Sequence, residues 1–371
     1  MRATVRLGRF RGIQIGVHWS LLVISVVVAG TLATSVFPDL VPKAGGSYWA
    51  AAVLATALFF ASIFAHELSH ALVALRRGQR VESITLWLLG GVASLRDEAP
   101  DPRSEFLVAI AGPAMSFALG AVFVAAAFGL DATLSDGSLL PAIAIYLGIV
   151  NVILAVFNLL PGAPLDGGRV LTAALWAWRK DRRAAQIAAS RCGFVLGILL
   201  VGVGLLGFVF GYGFGDLWTA LVGWFVIDAS RSEELGARVA RSLDEHTVAQ
   251  LMGPPPPSLP EWTTVADVRA AFAPQLPSSI VLTGFGGAPS AVLQTGALRT
   301  ITDPAAAAAL RVRELAITLD RIPAFPPETI ARDALQHGVP VVVVRDGQIV
   351  GVVGLDEVRL AAGVDALKSG V

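Results

Sequence analysis

Long apolar segments dominate the first 230 residues of this 371-residue chain and restrict the structures that those residues can adopt. The composition is 55% hydrophobic and only 15% charged. A backbone that crosses a lipid bilayer must satisfy its own hydrogen bonds, so apolar segments of about 20 residues predict membrane-spanning helices. We predict six of them, at Val17–Phe37, Tyr48–Leu75, Glu105–Leu130, Leu140–Leu160, Ala188–Phe210 and Phe214–Ala229.

Basic residues are distributed unevenly between the loops that join these segments. They cluster before the first segment, between the second and third, between the fourth and fifth, and after the sixth, whereas the opposite loops contain only Lys43. By the positive-inside rule, both termini of this multi-pass chain are predicted to face the cytoplasm. The net charge is zero and the chain has no basic block, so a nucleic-acid partner is not indicated.

Two histidines and a glutamate interrupt the second apolar segment, in the order His66-Glu67-Leu68-Ser69-His70. Ionisable residues inside a membrane span are costly and indicate a functional site. The spacing of four residues places His66 and His70 on one helix face, where both imidazoles can bind one metal ion. Glu67 is then a candidate base that acts on water. Cys192 is the one cysteine, so a zinc site here would have to use histidine and carboxylate ligands.

A catalytic zinc site needs a third protein ligand. Asp166 is the candidate, because it lies in the sequence FNLLPGAPLDGGRV (Phe157–Val170), whose prolines and glycines must break the fourth helix. Irregular backbone at this depth is tolerated inside protein or around a watery cavity. The alternative is that Asp166 caps a helix that begins near Gly168. Asn158 is either a hydrogen-bond donor to the developing oxyanion or substrate backbone, or a helix–helix contact.

Residues 245–365 have the composition of a soluble α/β domain and contain a weak internal repeat. The second copy includes VVVVRDGQIVGVV, which predicts two strands joined by an Asp346-Gly347 turn. The first copy begins near Thr247. This pattern resembles a tandem pair of CBS domains, with repeats at 245–300 and 305–365. In that family the paired repeats form a regulatory module that often binds adenosyl nucleotides.

HExxH in the second segment and NxxPxxPLDGG at the end of the fourth together resemble the site-2 protease family of intramembrane zinc metalloproteases, in its CBS-containing prokaryotic subgroup. The resemblance implies a polytopic α-helical membrane protein with a protease domain at 1–235 and a cytoplasmic α/β CBS module. It also implies one Zn²⁺ ion bound by His66, His70 and Asp166, with Glu67 as general base. The substrates would be transmembrane proteins, such as a membrane-bound anti-sigma factor or transcription factor.

The segment Ser83–Leu95 resembles the family's membrane-dipping strands, which could hold an extended substrate. The alternative is a short interfacial loop. His18, at the start of the first span, is expected at the membrane interface rather than at the metal, and Ser116 in the third span receives no role.

The CBS repeats depart from the nucleotide-binding pattern of that family. Gly354 stands where a hydroxyl residue is usual, and Glu357 replaces the ribose-binding aspartate. These departures argue against binding of an adenosyl nucleotide at the CBS module, and a structural or homodimerising role fits the sequence at least as well. Two other functions remain open for the whole chain: a CBS-regulated transporter or channel that uses the histidines as an ion site, and an inactive protease-like scaffold.

Overall fold

The computed structural model describes residues 4–42, 47–88, 90–95, 97–134, 138–211 and 215–361. These residues form two compact units that divide between Glu234 and Leu235. The elements of the first unit are β1 (Val5–Phe10), β2 (Ile13–Val17), α1 (Ser20–Thr31), a π-helical turn (Leu32–Val36), α2 (Phe37–Leu40), α3 (Ser47–Arg76), β3 (Val81–Trp87), β4 (Gly90–Leu95), α4 (Pro102–Thr133), α5 (Leu139–Asn158), α6 (Asp166–Arg179), α7 (Arg182–Val209) and α8 (Gly215–Glu245), whose last residues belong to the second unit.

Within the described residues, five helical segments are long and apolar enough to cross a membrane, namely Ser20–Leu40, α3, α4, α5 and α7. The first begins three residues later than predicted, because Val17 pairs in strand β2. The predicted sixth span falls within α8, apart from Phe214, which lies outside the described residues. Most of the acidic and basic residues of α8 follow Ile227, and this helix does not join the five, so the count of six spans stays a prediction.

The four strands of the first unit form one sheet in the order β1-β2-β3-β4. Strands β2 and β3 pair in parallel, and the other two pairs are antiparallel, which leaves β1 and β4 as the edges. Ile13 of β2 and Ile84 of β3 are fully buried and pack with Ala71 and Ala74 of α3 and with Val108 of α4. The sheet therefore lies against the ends of the helices that carry the histidine motif and the third span.

Glycines allow very close packing around the turn between α5 and α6. A Cβ atom added at Gly193 of α7 would lie 1.8 Å from the carbonyl oxygen of Ala163, and one at Gly168 would lie 2.3 Å from the Ala163 amide nitrogen. The Ser230 hydroxyl donates a hydrogen bond of 2.6 Å to the same carbonyl. Helix α5 ends at Asn158 and α6 begins at Asp166, so the predicted helix break is present and its backbone is held by neighbouring helices.

The second unit contains two small sheets, ordered β5-β6-β7-β8 and β11-β10-β9. Its elements are α9 (Val248–Leu251), β5 (Ser258–Pro260), α10 (Val265–Ala271), β6 (Ser279–Thr283), β7 (Pro289–Gln294), α11 (Pro304–Ala309), β8 (Ile317–Thr318), β9 (Ala324–Phe325), α12 (Ala331–Leu335), β10 (Val341–Arg345), β11 (Gln348–Val353) and α13 (Leu355–Ala361), with short 3-10 turns at Thr295–Thr300, Val312–Leu315 and Leu319–Arg321.

Each sheet repeats one motif, a short strand and a helix followed by a parallel strand that opens an antiparallel hairpin. The motif occurs as β5-α10-β6-β7 and as β9-α12-β10-β11. The second hairpin closes through the predicted Asp346-Gly347 turn, where both residues have positive φ angles, of 52° and 78°, as a two-residue turn of type I′ requires. The internal repeat seen in the sequence is therefore a repeat of structure.

Candidate active site

The two imidazoles of the HELSH sequence lie next to each other, one turn apart on α3, with their rings inclined at 75°. The spacing of four residues puts both side chains on one helix face, and both are buried. Their Nε2 atoms lie 3.2 Å apart. Both histidines therefore present a ring nitrogen to the same point inside the unit.

Asp166 reaches this point from the first residue of α6. Its Oδ2 atom lies 3.1 Å from His66 Nε2 and 3.2 Å from His70 Nε2. Leu165 holds the N-cap position of α6, so Asp166 is not the cap that the alternative interpretation required. The structure thus brings together the three residues that the sequence suggested, from positions about 100 residues apart.

The three atoms have the arrangement that a zinc site needs. Zinc binds histidine nitrogen and carboxylate oxygen at about 2.0–2.2 Å, so neighbouring ligands of a tetrahedral site are separated by roughly 3.3–3.5 Å. The three separations here are 3.1, 3.2 and 3.2 Å. Among the described residues, this is the group of three or more His, Cys, Asp or Glu side chains that could hold a metal ion. The donor set fits zinc.

Helix α4 fixes the orientation of both rings. His70 Nδ1 donates a hydrogen bond of 2.7 Å to the Val108 carbonyl, which can only accept, so the Nε2 lone pair of His70 is free to face the site. His66 Nδ1 lies 2.9 Å from the hydroxyl of Ser116, which is fully buried. Such outer hydrogen bonds set the tautomer and orientation of metal-binding histidines. Ser116, which received no role from the sequence, therefore contacts a candidate ligand directly.

Gly112 lies between these two contacts on α4. A Cβ atom at this position would lie 2.2 Å from His70 Nε2 and 2.5 Å from His66 Nε2. The helix backbone therefore approaches the ring nitrogens so closely that only glycine fits. The sequence did contain a signal for this close approach. Val108, Gly112 and Ser116 are spaced four residues apart, which places all three on one face of the third span.

Glu67 points toward strand β4. A Cβ atom at Gly91 would lie 2.2 Å from Glu67 Cγ and 3.1 Å from Glu67 Oε1, so the carboxyl side chain lies against the backbone of this strand. Strand β4 is an edge of the sheet. The carboxylate that follows His66 in the sequence thus lies against the edge strand of the sheet.

Three other polar residues of the first unit, His18, Asn158 and Asn151, make hydrogen bonds with other protein groups. His18 Nδ1 accepts a hydrogen bond from the Ser20 amide at 3.3 Å and lies outside the metal-binding group. The amide of Asn158 donates to the carbonyl of Leu154 in its own helix, at 2.9 Å. The contact between helices comes instead from Asn151, whose buried amide donates to Ser62 Oγ of α3 at 3.3 Å. The sequence had suggested such a contact for Asn158 and had missed Asn151.

The carboxylate of Glu357 in the second unit is occupied by protein groups. It is buried, and its Oε2 atom accepts a hydrogen bond of 2.9 Å from the Gly354 amide, while Oε1 accepts one from the Ser278 hydroxyl. A neighbouring cavity of about 390 Å³ is lined by Gly253, Pro254, Pro255, Pro256, Pro257, Phe272, Gln275, Leu276, Pro277, Ser278, Ser279 and Val352. None of these lining residues carries a positive charge that could bind a phosphate group.

Substituting Gly112 with alanine should displace the imidazoles and weaken metal binding, because the new methyl group would overlap both ring nitrogens. We expect the Gly112→Ala variant to lose about 10- to 100-fold in zinc affinity, the range typical of disturbed ligand orientation. Chelator competition on the detergent-solubilised chain measures this affinity.

Gly129→Ala is the matched control on the same helix, because no atom lies within 4 Å of a Cβ atom at that position. Removing a helical glycine there should leave zinc affinity unchanged and should not destabilise the helix. Equal zinc affinities for the two variants would show that Gly112 does not provide the space for the imidazoles.

Comparisons with known proteins match most of the chain. The model of Peptidase family M50 matches residues 54–133 and 132–200. Rip3 of Mycobacterium tuberculosis, which is named as a zinc metalloprotease, is 35% identical over 360 residues, covering 95% of this chain and 91% of Rip3.

Solved structures with similar parts include the site-2 protease from Methanocaldococcus jannaschii, which is 29% identical and covers 62% of this chain and 94% of its own, with a TM-score of 0.45. A CBS domain protein from Pyrobaculum aerophilum complexed with AMP is 22% identical and covers 30% of this chain and 88% of its own, with a TM-score of 0.25. On the strength of the match to Rip3 over nearly its whole length, this chain belongs to peptidase family M50, the site-2 protease family, and is a multi-pass membrane metalloprotease.

Proposed function

We propose that the chain is a zinc-dependent endopeptidase that cleaves transmembrane protein substrates within or near the bilayer. The observation that carries this proposal is the convergence of His66, His70 and Asp166, whose ligand atoms lie within 4.8 Å of one another. These three side chains would hold the zinc ion. Zinc, when bound, supplies Lewis-acid polarisation of the scissile carbonyl and makes water acidic enough to give up a proton near neutral pH.

Glu67 is the general base in this mechanism. It follows the ligand His66 directly in α3, and its side chain lies against the strand edge where we place the substrate. The carboxylate takes a proton from the attacking water and returns it to the leaving amine nitrogen as the peptide bond breaks. His66 and His70 keep their Nδ1 atoms hydrogen-bonded to Ser116 and Val108 throughout, so they bind the metal and do not transfer the proton.

Replacing Glu67 with glutamine tests the base and the reaction class together. We expect Glu67→Gln to reduce cleavage at least about 100-fold, the lower range for loss of a general base, while the bound zinc per chain stays unchanged. Cleavage of a reporter substrate and metal analysis of the same sample measure both quantities.

Glu245→Gln, at an exposed site near the end of α8, is the isosteric control and should cleave at the wild-type rate. Full activity of Glu67→Gln would reject the mechanism. Chelator-sensitive cleavage also separates this function from the alternatives, because a transporter would move solute without cleavage and an inactive scaffold would bind membrane helices without cutting them.

A transmembrane helix hides its peptide bonds, so the substrate must be locally extended before it is cut. We propose that the extended segment adds to the edge strand β4, where backbone hydrogen bonds hold it beside Glu67. The sheet order supports this proposal because β4 pairs with β3 on one side only. An edge strand presents unpaired N–H and C=O groups with which another chain can pair.

Proline substitutions at Val92 and Ala93 test this docking edge. Successive amides of a strand point to opposite sides, so one of these two amides faces the open edge and the other faces β3. We expect one of the two variants to keep the wild-type unfolding temperature and zinc content but to raise KM for a transmembrane substrate about tenfold or more, because it lacks one donor.

Leu7→Pro is the control at the opposite edge, in the irregular pairing between Arg6 and Gly8 of β1, and should leave KM unchanged. If both β4 variants fold and cleave normally, the substrate does not pair with β4.

The membrane arrangement remains a proposal as well. We propose that α8 provides the sixth crossing, so that both termini lie in the cytoplasm of the cell membrane, because basic residues cluster on that side of every predicted span. The protease domain would then comprise residues 1–235 and the CBS repeats residues 245–300 and 305–365.

We propose a structural role for the CBS repeats rather than nucleotide sensing. Both Glu357 oxygens already accept hydrogen bonds from the protein, so they are occupied where the family's aspartate binds ribose. Homodimerisation through these repeats also stays a prediction.

Addition of AMP or ATP should therefore leave the thermal unfolding of the full chain unchanged. A ligand present at 100 times its Kd would stabilise the protein by about 2.7 kcal/mol, which an unfolding scan detects. A saturable rise in unfolding temperature with millimolar AMP would contradict the proposal. Glu357→Asp, which restores the family residue, is the comparison variant.

A further inference from the structure

Glu105 is a buried carboxylate that the catalytic proposal does not use. It lies in the first turn of α4 and is only 4% exposed. Its Oε1 atom accepts a hydrogen bond of 2.9 Å from Arg169 Nε of α6, and its Oε2 atom lies 3.4 Å from Arg182 Nη2 of α7. A charge buried to this extent is stable only when it is paired, so Glu105 joins three helices through its ion pairs.

Arg169 connects this ion pair to the metal site. It lies three residues after Asp166 on α6, so the two side chains are neighbours one helical turn apart. The close polar contacts described for the Asp166 carboxylate, at 3.1 and 3.2 Å, are with the two imidazoles. The position of Asp166 therefore depends on how the beginning of α6 is held, and the pair with Glu105 holds it against α4.

The same helix α4 also orients both histidines. Glu105, Val108, Gly112 and Ser116 follow one another at intervals of three or four residues and lie along one face of α4. Val108 and Ser116 contact the imidazoles of His70 and His66. The two ligands on α3 and the third ligand on α6 thus share α4 as their common support.

We propose that Glu105 and Arg169 are positioning residues of the metal site, which keep Asp166 Oδ2 within binding distance of both imidazoles. This inference rests on the proposed zinc site. A purely structural bridge would stabilise the helix bundle without affecting zinc affinity, whereas positioning residues change zinc affinity in a folded protein.

The test measures zinc affinity by chelator competition in the detergent-solubilised full chain. We expect Glu105→Gln and Arg169→Gln each to weaken zinc binding about 10- to 100-fold, as disturbed outer contacts of metal ligands do. The double variant should bind zinc no more weakly than the weaker single variant, because each substitution already removes the Glu105–Arg169 pair. The visible spectrum of the Co²⁺-loaded variants should also change, since it reports the coordination geometry.

Arg80→Gln is the matched control. It breaks an exposed ion pair of the same unit, in which Arg80 Nη2 lies 2.7 Å from Asp97 Oδ1, and should leave zinc affinity and the Co²⁺ spectrum unchanged. Arg169→Lys keeps the charge but removes the Nε donor and should give an intermediate affinity. If Glu105→Gln does not fold, the zinc affinity of Arg169→Lys serves as the test instead.

Wild-type zinc affinity in folded Glu105→Gln, or in folded Arg169→Lys, would overturn the positioning role, as would additive losses in the double variant. A lower unfolding temperature of the metal-free variants with unchanged zinc affinity would assign the pair to bundle stability alone. These outcomes are separate from failure of the zinc site itself, which would appear as wild-type protein that binds no zinc.

Discussion

The convergence of three metal-binding atoms inside an apolar helical bundle is the constraint on which the rest of the first unit depends. Two Nε2 atoms and one carboxylate oxygen lie 3.1 to 3.2 Å apart, although each presents a lone pair to the same point. In a low-dielectric interior such an arrangement is unfavourable unless a cation occupies it or a proton is shared. The protein maintains it through rigid neighbours. The Val108 carbonyl and the Ser116 hydroxyl hold the rings, and the glycine-packed turn before α6 holds Asp166.

At several points of the first unit, glycines let the backbone of one element pack closely against another. Gly112 brings α4 against the imidazoles, Gly91 brings β4 against Glu67, and Gly193 brings α7 against the turn that precedes Asp166. Each glycine removes a side chain at a point where backbone must come within van der Waals distance of a functional group. The contacts made possible by these glycines therefore shape the site through backbone as well as through polar side chains.

Much of this site followed from the sequence because the relevant signals are local. A spacing of four residues put His66 and His70 on one helix face, and the prolines and glycines before Asp166 predicted the helix break that admits a third ligand. The α/β repeat and its Asp346-Gly347 turn were readable for the same reason. The contacts that α4 makes with the imidazoles were harder to predict. Val108 contacts His70 through its backbone carbonyl, a group that every residue type has. The partner of the Ser116 hydroxyl could not be predicted without knowing how α3 and α4 cross.

The features that were not predicted from the sequence are those for which the residue pattern has more than one interpretation. Strand β1 contains Arg6 and Arg9, which indicated the cytoplasmic side of the first span and concealed a strand that pairs with β2. Asn151 lies in the middle of an apolar span, and its contact with Ser62 depends on which face of α5 meets α3. Residue periodicity alone does not determine which face of a helix meets which neighbour, because this depends on the packing of the whole bundle.

The long separation of Asp166 from the histidines has a consequence for synthesis of the chain. About 100 residues, including α4 and α5, lie between His66 and Asp166. A ribosome delivers the chain from its N-terminus, so α3 enters the membrane long before the carboxylate exists. Until Asp166 has been synthesised, the two histidines lack the third member of their group. The three-residue group is therefore completed only late in synthesis of the first unit.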